Sequence, residues 1–207
     1  MGPPTILDIG CGRGFDGDVP LQESIAAGRA FIGVEPDPRI LLGPYFSATH
    51  RCTFEDAPIP ANSVHVAFAV MVLEHLADPQ RFWDKLWEVL VAGGVFWGLT
   101  VDGRHPFCRA SLWLEHLRLK DFYLDRLLGR RGAERYENYP VCYRSNTPRQ
   151  VDRLAARFRH RDYVSFARVG QWSPYLPRPL RPWADAHDRR ALRRGRPGTL
   201  LAIRVVK

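Results

Sequence analysis

Residues Thr5 to Gly14, TILDIGCGRG, constrain the fold more than any other stretch of the chain. Thr5, Ile6, Leu7 and Ile9 form a short apolar and β-branched run interrupted only by Asp8, which is the pattern of a buried strand. The run leads straight into Gly10, Gly12 and Gly14. Glycine adopts φ > 0 readily and leaves no Cβ to obstruct a ligand lying against the loop. A strand that opens through such a loop into a helix forms a nucleotide-type cradle. The Asp8 carboxylate inside this strand is costly unless donors meet it, and either the loop N–H groups or a ligand ammonium would supply them.

The dinucleotide pattern G-x-G-x-x-G places its third glycine where Phe15 stands here. The spacing is instead G-x-G-x-G behind an acidic residue, which resembles the first motif of class I S-adenosylmethionine (SAM) methyltransferases. Three further segments follow in that family's order. FIGVEPDP, residues 31–38, is a second strand ending in Glu35, whose carboxylate suits both ribose hydroxyls of an adenosine. Residues 52–79 resemble the family's third segment: a loop over the adenine, the strand Val64 to Val70, then Val72-Leu73-Glu74-His75. Residues 81–101 provide a helix, a Gly93-Gly94 stop and the strand VFWGLTV.

The resemblance covers the first half of the chain. It implies an α/β, three-layer Rossmann-like methyltransferase fold, with a seven-stranded, mostly parallel sheet whose last strand is antiparallel and a helical insertion after strand 5. It also implies SAM as cofactor. The cofactor-binding positions it marks are Asp8, Gly10, Cys11, Gly12, Gly14, Glu35, Pro36, Thr53, Phe54, Glu55, Ala69 and Val70. Three positions depart from the family pattern. Thr53 stands where many members carry an acid that touches the adenine amino group, so contacts there fall largely on backbone groups of Phe54 and Glu55. His65 replaces the usual Asp of the fourth strand, and Val91-Ala92 replaces a basic residue and proline before Gly93.

At 207 residues the chain fits one domain, 1–207, with a single substantial core. There is no run of 18 apolar residues and no charged-then-apolar leader before the first strand, so a soluble, cytoplasmic protein is expected. Cys11, Cys52, Cys108 and Cys142 form no C-x-x-C pair and no zinc spacing, which suits reduced thiols and no metal. Charge is divided unevenly: residues 1–101 carry a net −6 and residues 102–207 a net +14, almost all of the latter from Arg. A basic half suits an acidic partner such as a phosphorylated acceptor, a lipid headgroup or RNA. Arginine bias with a solvated face accounts for it equally well.

Periodicity places strands near 4–9, 31–35, 50–54 and 64–70, and a fifth ending near Val101. Helices are expected over Pro20–Ala27, from Asp78 and Pro79 onward, around 109–120 and 121–128, and from Pro148 to about Phe158. Residues 162–168 and 199–206 read as a closing antiparallel pair joined by a proline- and arginine-rich excursion. Helices are expected on both faces of the sheet.

With a methyl group already activated on the SAM sulfonium, the protein must align an acceptor and manage one proton. The 102–148 insertion is the expected lid and acceptor segment, with Tyr139, Tyr143, Arg144 and Asn146 as acceptor-binding residues. Its Tyr143-Arg144-Ser145-Asn146-Thr147 run resembles a segment of methyltransferases from surface-glycan and natural-product clusters. That resemblance implies a small-molecule or lipid- or sugar-linked acceptor and O-methylation. His75 and His105 are the candidate general bases, because imidazole takes a hydroxyl proton near neutral pH. After the fourth strand the chain reads Ala69-Val70-Met71-Val72, without the Asn/Asp-Pro-Pro-aromatic platform of enzymes that methylate adenine amines or amide nitrogens. An RNA methyltransferase using the basic half, and a non-catalytic SAM-binding subunit, are the alternatives. Because the first strand starts so near Met1, the cleft is expected to be open, with 102–148 as its main cover; a homodimer could add more.

Overall fold

A computed structural model describes residues 2–12, 14, 18–119, 122, 139–167, 169–170, 173 and 176–207. Seven strands make one sheet: β1 (Thr5–Ile9), β2 (Ala30–Val34), β3 (Ala48–His50), β4 (Val64–Val70), β5 (Leu90–Val101), β6 (His160–Phe166) and β7 (Leu200–Val206). Their order is β3-β2-β1-β4-β5-β7-β6. Strands β1 to β5 run parallel, and β7 is antiparallel to both of its neighbours. The strand order reverses between β1 and β4, so the crevice at their carboxyl ends is where an open α/β sheet receives a ligand. The expected α/β sheet with an antiparallel last strand is what forms.

Among the described residues the helices are α1 (Val19–Ala26), α2 (Pro79–Val89), α3 (Pro106–His116), α4 (Pro148–Leu154) and α5 (Arg181–Arg193). Local chemistry starts most of them. Asp18 accepts from Leu21 N–H, Asp78 from Arg81 N–H and Thr147 from Gln150 N–H, each with a proline in the first turn, where its missing donor costs nothing. On α2, Phe82, Trp83, Leu86 and Val89 recur at helical spacing and are buried against Leu7, Phe96, Val151, Phe158, Leu201 and Ile203. Trp83 centres this core: Phe82, Phe96 and Phe158 meet its ring edge-on, with centroids 5.6, 5.6 and 5.9 Å away. Its indole N–H donates to Ser145 Oγ at 2.9 Å.

Several boundaries differ from the sequence reading. Strand β3 lies at Ala48–His50 rather than 50–54, because Phe54 drops into the core within a one-turn 3-10 helix, Phe54–Asp56. Helix α2 ends at Val89, and Leu90 already pairs with Val64; the glycines sit in a bulge of β5, where Gly93 has φ +77. Helix α3 starts at Pro106, because the His105 side chain caps it, and α4 stops at Leu154. The proline- and arginine-rich excursion contains α5, preceded by a 3-10 turn, Arg178–Leu180. The expected helix at 121–128 and residue Phe15 lie outside the described residues. Opposite α2, the sheet face carries an apolar groove lined by Ile6, Val66, Phe68, Trp97, Leu99 and Ala202, which α1 reaches through Ile25.

Trp83→Ala is expected to cost about 3–5 kcal/mol, and Ser145→Ala about 1–2 kcal/mol by orphaning the buried indole N–H. Urea unfolding followed by circular dichroism measures both; losses below about 1 kcal/mol for Trp83→Ala would show that this core is not centred as described.

Candidate functional site

The β1 loop is built around left-handed backbone. Gly10, Gly12 and Gly14 have φ of +65, +50 and +81. A Cβ on Gly10 would overlap Val72 Cγ2, and one on Gly14 would land on the Gln22 side-chain amide. The loop is pinned to β2: the Gly10 and Cys11 N–H groups donate to the Val34 carbonyl at 2.8 and 3.0 Å. Gly12 N–H donates to Glu35 Oε2 and Asp37 N–H donates to Glu35 Oε1, both at 2.9 Å. Two backbone donors thus fix the Glu35 carboxylate while each oxygen keeps a lone pair for a further donor.

Asp8 lies at the centre of this cradle, buried in β1. The described loop N–H groups go to Val34, Glu35 and, from Gly14, the Cys11 carbonyl, and none meets its carboxylate. Burial and the nearby Glu35 charge push the Asp8 carboxyl up to about 7. Burial likewise raises the Cys11 thiol to about 12, so it sits as an apolar neighbour rather than a nucleophile. Gln22 of α1 is fully buried against Gly14, and among the described residues neither polar atom of its amide has a well-aligned hydrogen-bond partner. A buried carboxylate and a buried amide that meet no well-aligned donor or acceptor among the described residues, with a pre-oriented strand-end acid, fit a ligand with a cationic head and a ribose diol.

Across the crevice, the turn after β4 meets the returning end of the 102–148 segment. Tyr139 O–H donates to Asp37 Oδ2 at 2.6 Å, and its ring lies edge-on to His75 with centroids 5.8 Å apart. Bonds from Arg39 and Tyr139 hold the Asp37 carboxyl well below the usual range. His75 Nδ1 lies 2.9 Å from the Pro140 carbonyl. Since a carbonyl only accepts, Nδ1 carries the proton and Nε2 keeps its lone pair. The Glu74 carbonyl accepts from Cys142 and Tyr143 N–H at 2.7 and 3.1 Å, fastening the segment to this turn. Asp37 had no part in the sequence reading; the signal for it was its place two residues after Glu35 in an Asp-Pro-Arg turn.

The remaining candidates are dispersed. Ala69 is buried beside Ile9, and Val70 is 38 % exposed at the carboxyl end of β4. Pro36 is exposed next to Glu35. Thr53 O–H donates to Asp56 Oδ2 at 2.7 Å, Phe54 is core, and Glu55 lines a polar groove with Arg81, Asp84 and Lys85 of α2. Asn146 is fully buried: its amide N–H donates to Thr100 Oγ1 at 2.6 Å, and Thr100 O–H donates to Glu74 Oε2 at 2.7 Å. Burial raises the Glu74 carboxyl. Tyr143 packs with Val101 and Cys108, and Arg144 donates to the Ala77 carbonyl at 2.7 Å.

His105 is buried at the start of α3, where Nδ1 accepts from Phe107 N–H at 3.2 Å. That leaves the proton on Nε2, which faces Asp188 of α5 at 3.5 Å; burial lowers its affinity for a second proton. His187 Nδ1 is 3.7 Å from the same Asp188 oxygen. His105, His187 and Asp188 offer atoms within 4.8 Å of one another, a grouping invisible in the sequence spacing. A metal on His105 Nε2 would need the ring proton at Nδ1, facing the Phe107 N–H, so the arrangement suits hydrogen bonding better than ligation.

Comparison with known proteins agrees with this geometry. A methyltransferase-domain family model matches residues 7–98. An uncharacterized methyltransferase of Mycolicibacterium vanbaalenii is 34 % identical over 138 residues, covering 64 % of this chain and 49 % of that protein. The chain therefore spans about half the length of the curated relatives it matches. A SAM-dependent methyltransferase from Archaeoglobus fulgidus superposes with a TM-score of 0.61 at 12 % identity, covering 100 % of this chain and 87 % of that one. A SAM-dependent methyltransferase from Thermotoga maritima, described as a possible histamine N-methyltransferase, gives 0.59 at 16 % identity, covering 100 % and 83 %. The chain thus carries a methyltransferase-domain match over residues 7–98 and shares the fold of SAM-dependent methyltransferases.

Proposed function

We propose that this chain transfers a methyl group from SAM to a hydroxyl of a small-molecule or lipid- or sugar-linked acceptor. The observation that carries the reading is the state of His75. Its Nδ1 is engaged by the Pro140 carbonyl, which makes Nε2 the basic nitrogen of the neutral ring. When bound, SAM would supply an activated methyl group on a sulfonium and leave as S-adenosylhomocysteine. Asp8 and the Gly10 backbone would hold its amino-acid head, and Glu35 its ribose hydroxyls. His75 Nε2 would take the acceptor's hydroxyl proton as the methyl passes to the acceptor oxygen, the S–CH3 bond breaking to leave neutral S-adenosylhomocysteine, and the Pro140 carbonyl would stabilise the resulting imidazolium. His105 is not assigned this step, because its Nδ1 lone pair already accepts Phe107 N–H.

Tyr139 bridges Asp37 and His75 and is the acceptor-side group assigned to this crevice. Tyr143 and Asn146 are buried and hold the segment in place, while the exposed Arg144 spends one guanidinium N–H on the Ala77 carbonyl and keeps the others for an acceptor.

Two outcomes test this reading. With methyl-labelled SAM and a cell extract separated into small-molecule, lipid and RNA fractions, label enters the small-molecule or lipid fraction. His75→Ala lowers that rate about a hundredfold with SAM affinity unchanged. An unchanged rate removes His75 from the chemistry, and label in RNA alone overturns the acceptor class. SAM affinity also depends on Asp8. Its carboxyl is raised to about 7, and a cationic head binds only the ionised form. Affinity therefore falls as pH drops below about 7, by up to about tenfold per unit, in calorimetric titrations from pH 7.5 to 5.5. Asp8→Asn flattens that dependence; a flat profile in the unaltered protein would contradict it.

A further inference from the structure

We infer that the outward face of α5 docks the protein on an anionic phospholipid surface. Helix α5 buries Ala184, Asp188 and Ala191. Residues on the opposite side at helical spacing are Trp183, Arg189, Arg190 and Arg193, all exposed, with Trp183 64 % accessible. Neither acid of the helix offsets them: Asp188 is buried, and Asp185 accepts from Ser173. The preceding turn adds Arg178 and an exposed Leu180, and the chain beyond adds Arg194 and Arg196. Among the described residues none of these six arginines has an ion-pair partner.

Unpaired cationic charge alone would suit any polyanion. Exposed Trp183 and Leu180 beside the arginines favour a bilayer: an indole and an aliphatic chain seat at the headgroup–acyl boundary while guanidinium groups reach the phosphates. An RNA phosphate backbone offers nothing to Leu180. Asp188, on the inner side of the same helix, faces His105 just past β5. A docked α5 would therefore lie beside the carboxyl edge of the sheet, where a lipid-linked acceptor has the shortest path to the crevice. Binding is separate from methyl transfer, so this inference stands or falls independently of the acceptor assigned above.

The test is co-sedimentation of the protein with vesicles of phosphatidylcholine alone and of phosphatidylcholine with phosphatidylglycerol, at low and high salt. Binding is expected only to the anionic vesicles and to weaken with salt. The triple change Arg189→Gln, Arg190→Gln and Arg193→Gln should lower partition by about a hundredfold, each guanidinium being worth roughly a fivefold factor at such a surface. Trp183→Ala should lower it severalfold. Circular dichroism and SAM titration check that both variants remain folded. Equal binding to neutral vesicles, no dependence on the arginines, or binding to single-stranded RNA with none to vesicles would overturn the inference.

Discussion

The hydrogen bond from Gly12 N–H to the Glu35 carboxylate joins the two halves of the cradle, and the site depends on it. It ties the β1 loop to the end of β2 across the sheet, and the Val34 carbonyl, taking both Gly10 and Cys11 N–H, makes the same tie one residue earlier. These bonds commit the described loop donors to the protein and, among the described residues, leave Asp8 without any, so the cationic head proposed above would meet a carboxylate that has no other donor. An Asp8 that the loop itself had satisfied would have little reason to prefer a charged amino-acid head.

A second set of bonds does for the crevice roof what Glu35 does for its floor. The Glu74 carbonyl receives two N–H groups from the returning segment, and the Asn146–Thr100–Glu74 chain locks that segment to β5. The bonds run in one direction, Asn146 donating to Thr100 and Thr100 to Glu74, while among the described residues the buried Asn146 Oδ1 has no partner. The Tyr-Arg-Ser-Asn-Thr run is therefore mainly a fastening: Ser145 accepts from Trp83 and Asn146 binds Thr100, while Tyr139, four residues ahead of Tyr143, reaches Asp37.

The parts legible in the sequence are those governed by local rules. Left-handed glycines after a strand, an acid at the next strand end, and Asp or Thr before Pro at a helix start all act within a few residues. So the β1 loop, Glu35 and the starts of α2 and α4 read directly. Side-chain placement set by distant partners did not. Asn146 looked like a polar acceptor ligand, but its partner Thr100 lies 46 residues away, and Tyr139 meets Asp37 across 102. Helix α5 was hidden by the density of proline, although Pro182 sits in its first turn, where proline is tolerated. His105 looked like a free imidazole; capping α3 and facing Asp188 are consequences of the fold.

If the pinned loop and Glu35 form a SAM site, loss of the Glu35 carboxylate weakens SAM binding. Isothermal titration of SAM into the protein and into Glu35→Ala tests it most directly. The account predicts one-to-one binding, weakened roughly tenfold or more by the substitution, as expected for losing charge-assisted bonds to the ribose and the loop's own anchor. Failure of the unaltered protein to bind SAM, or equal affinity in Glu35→Ala, would contradict it.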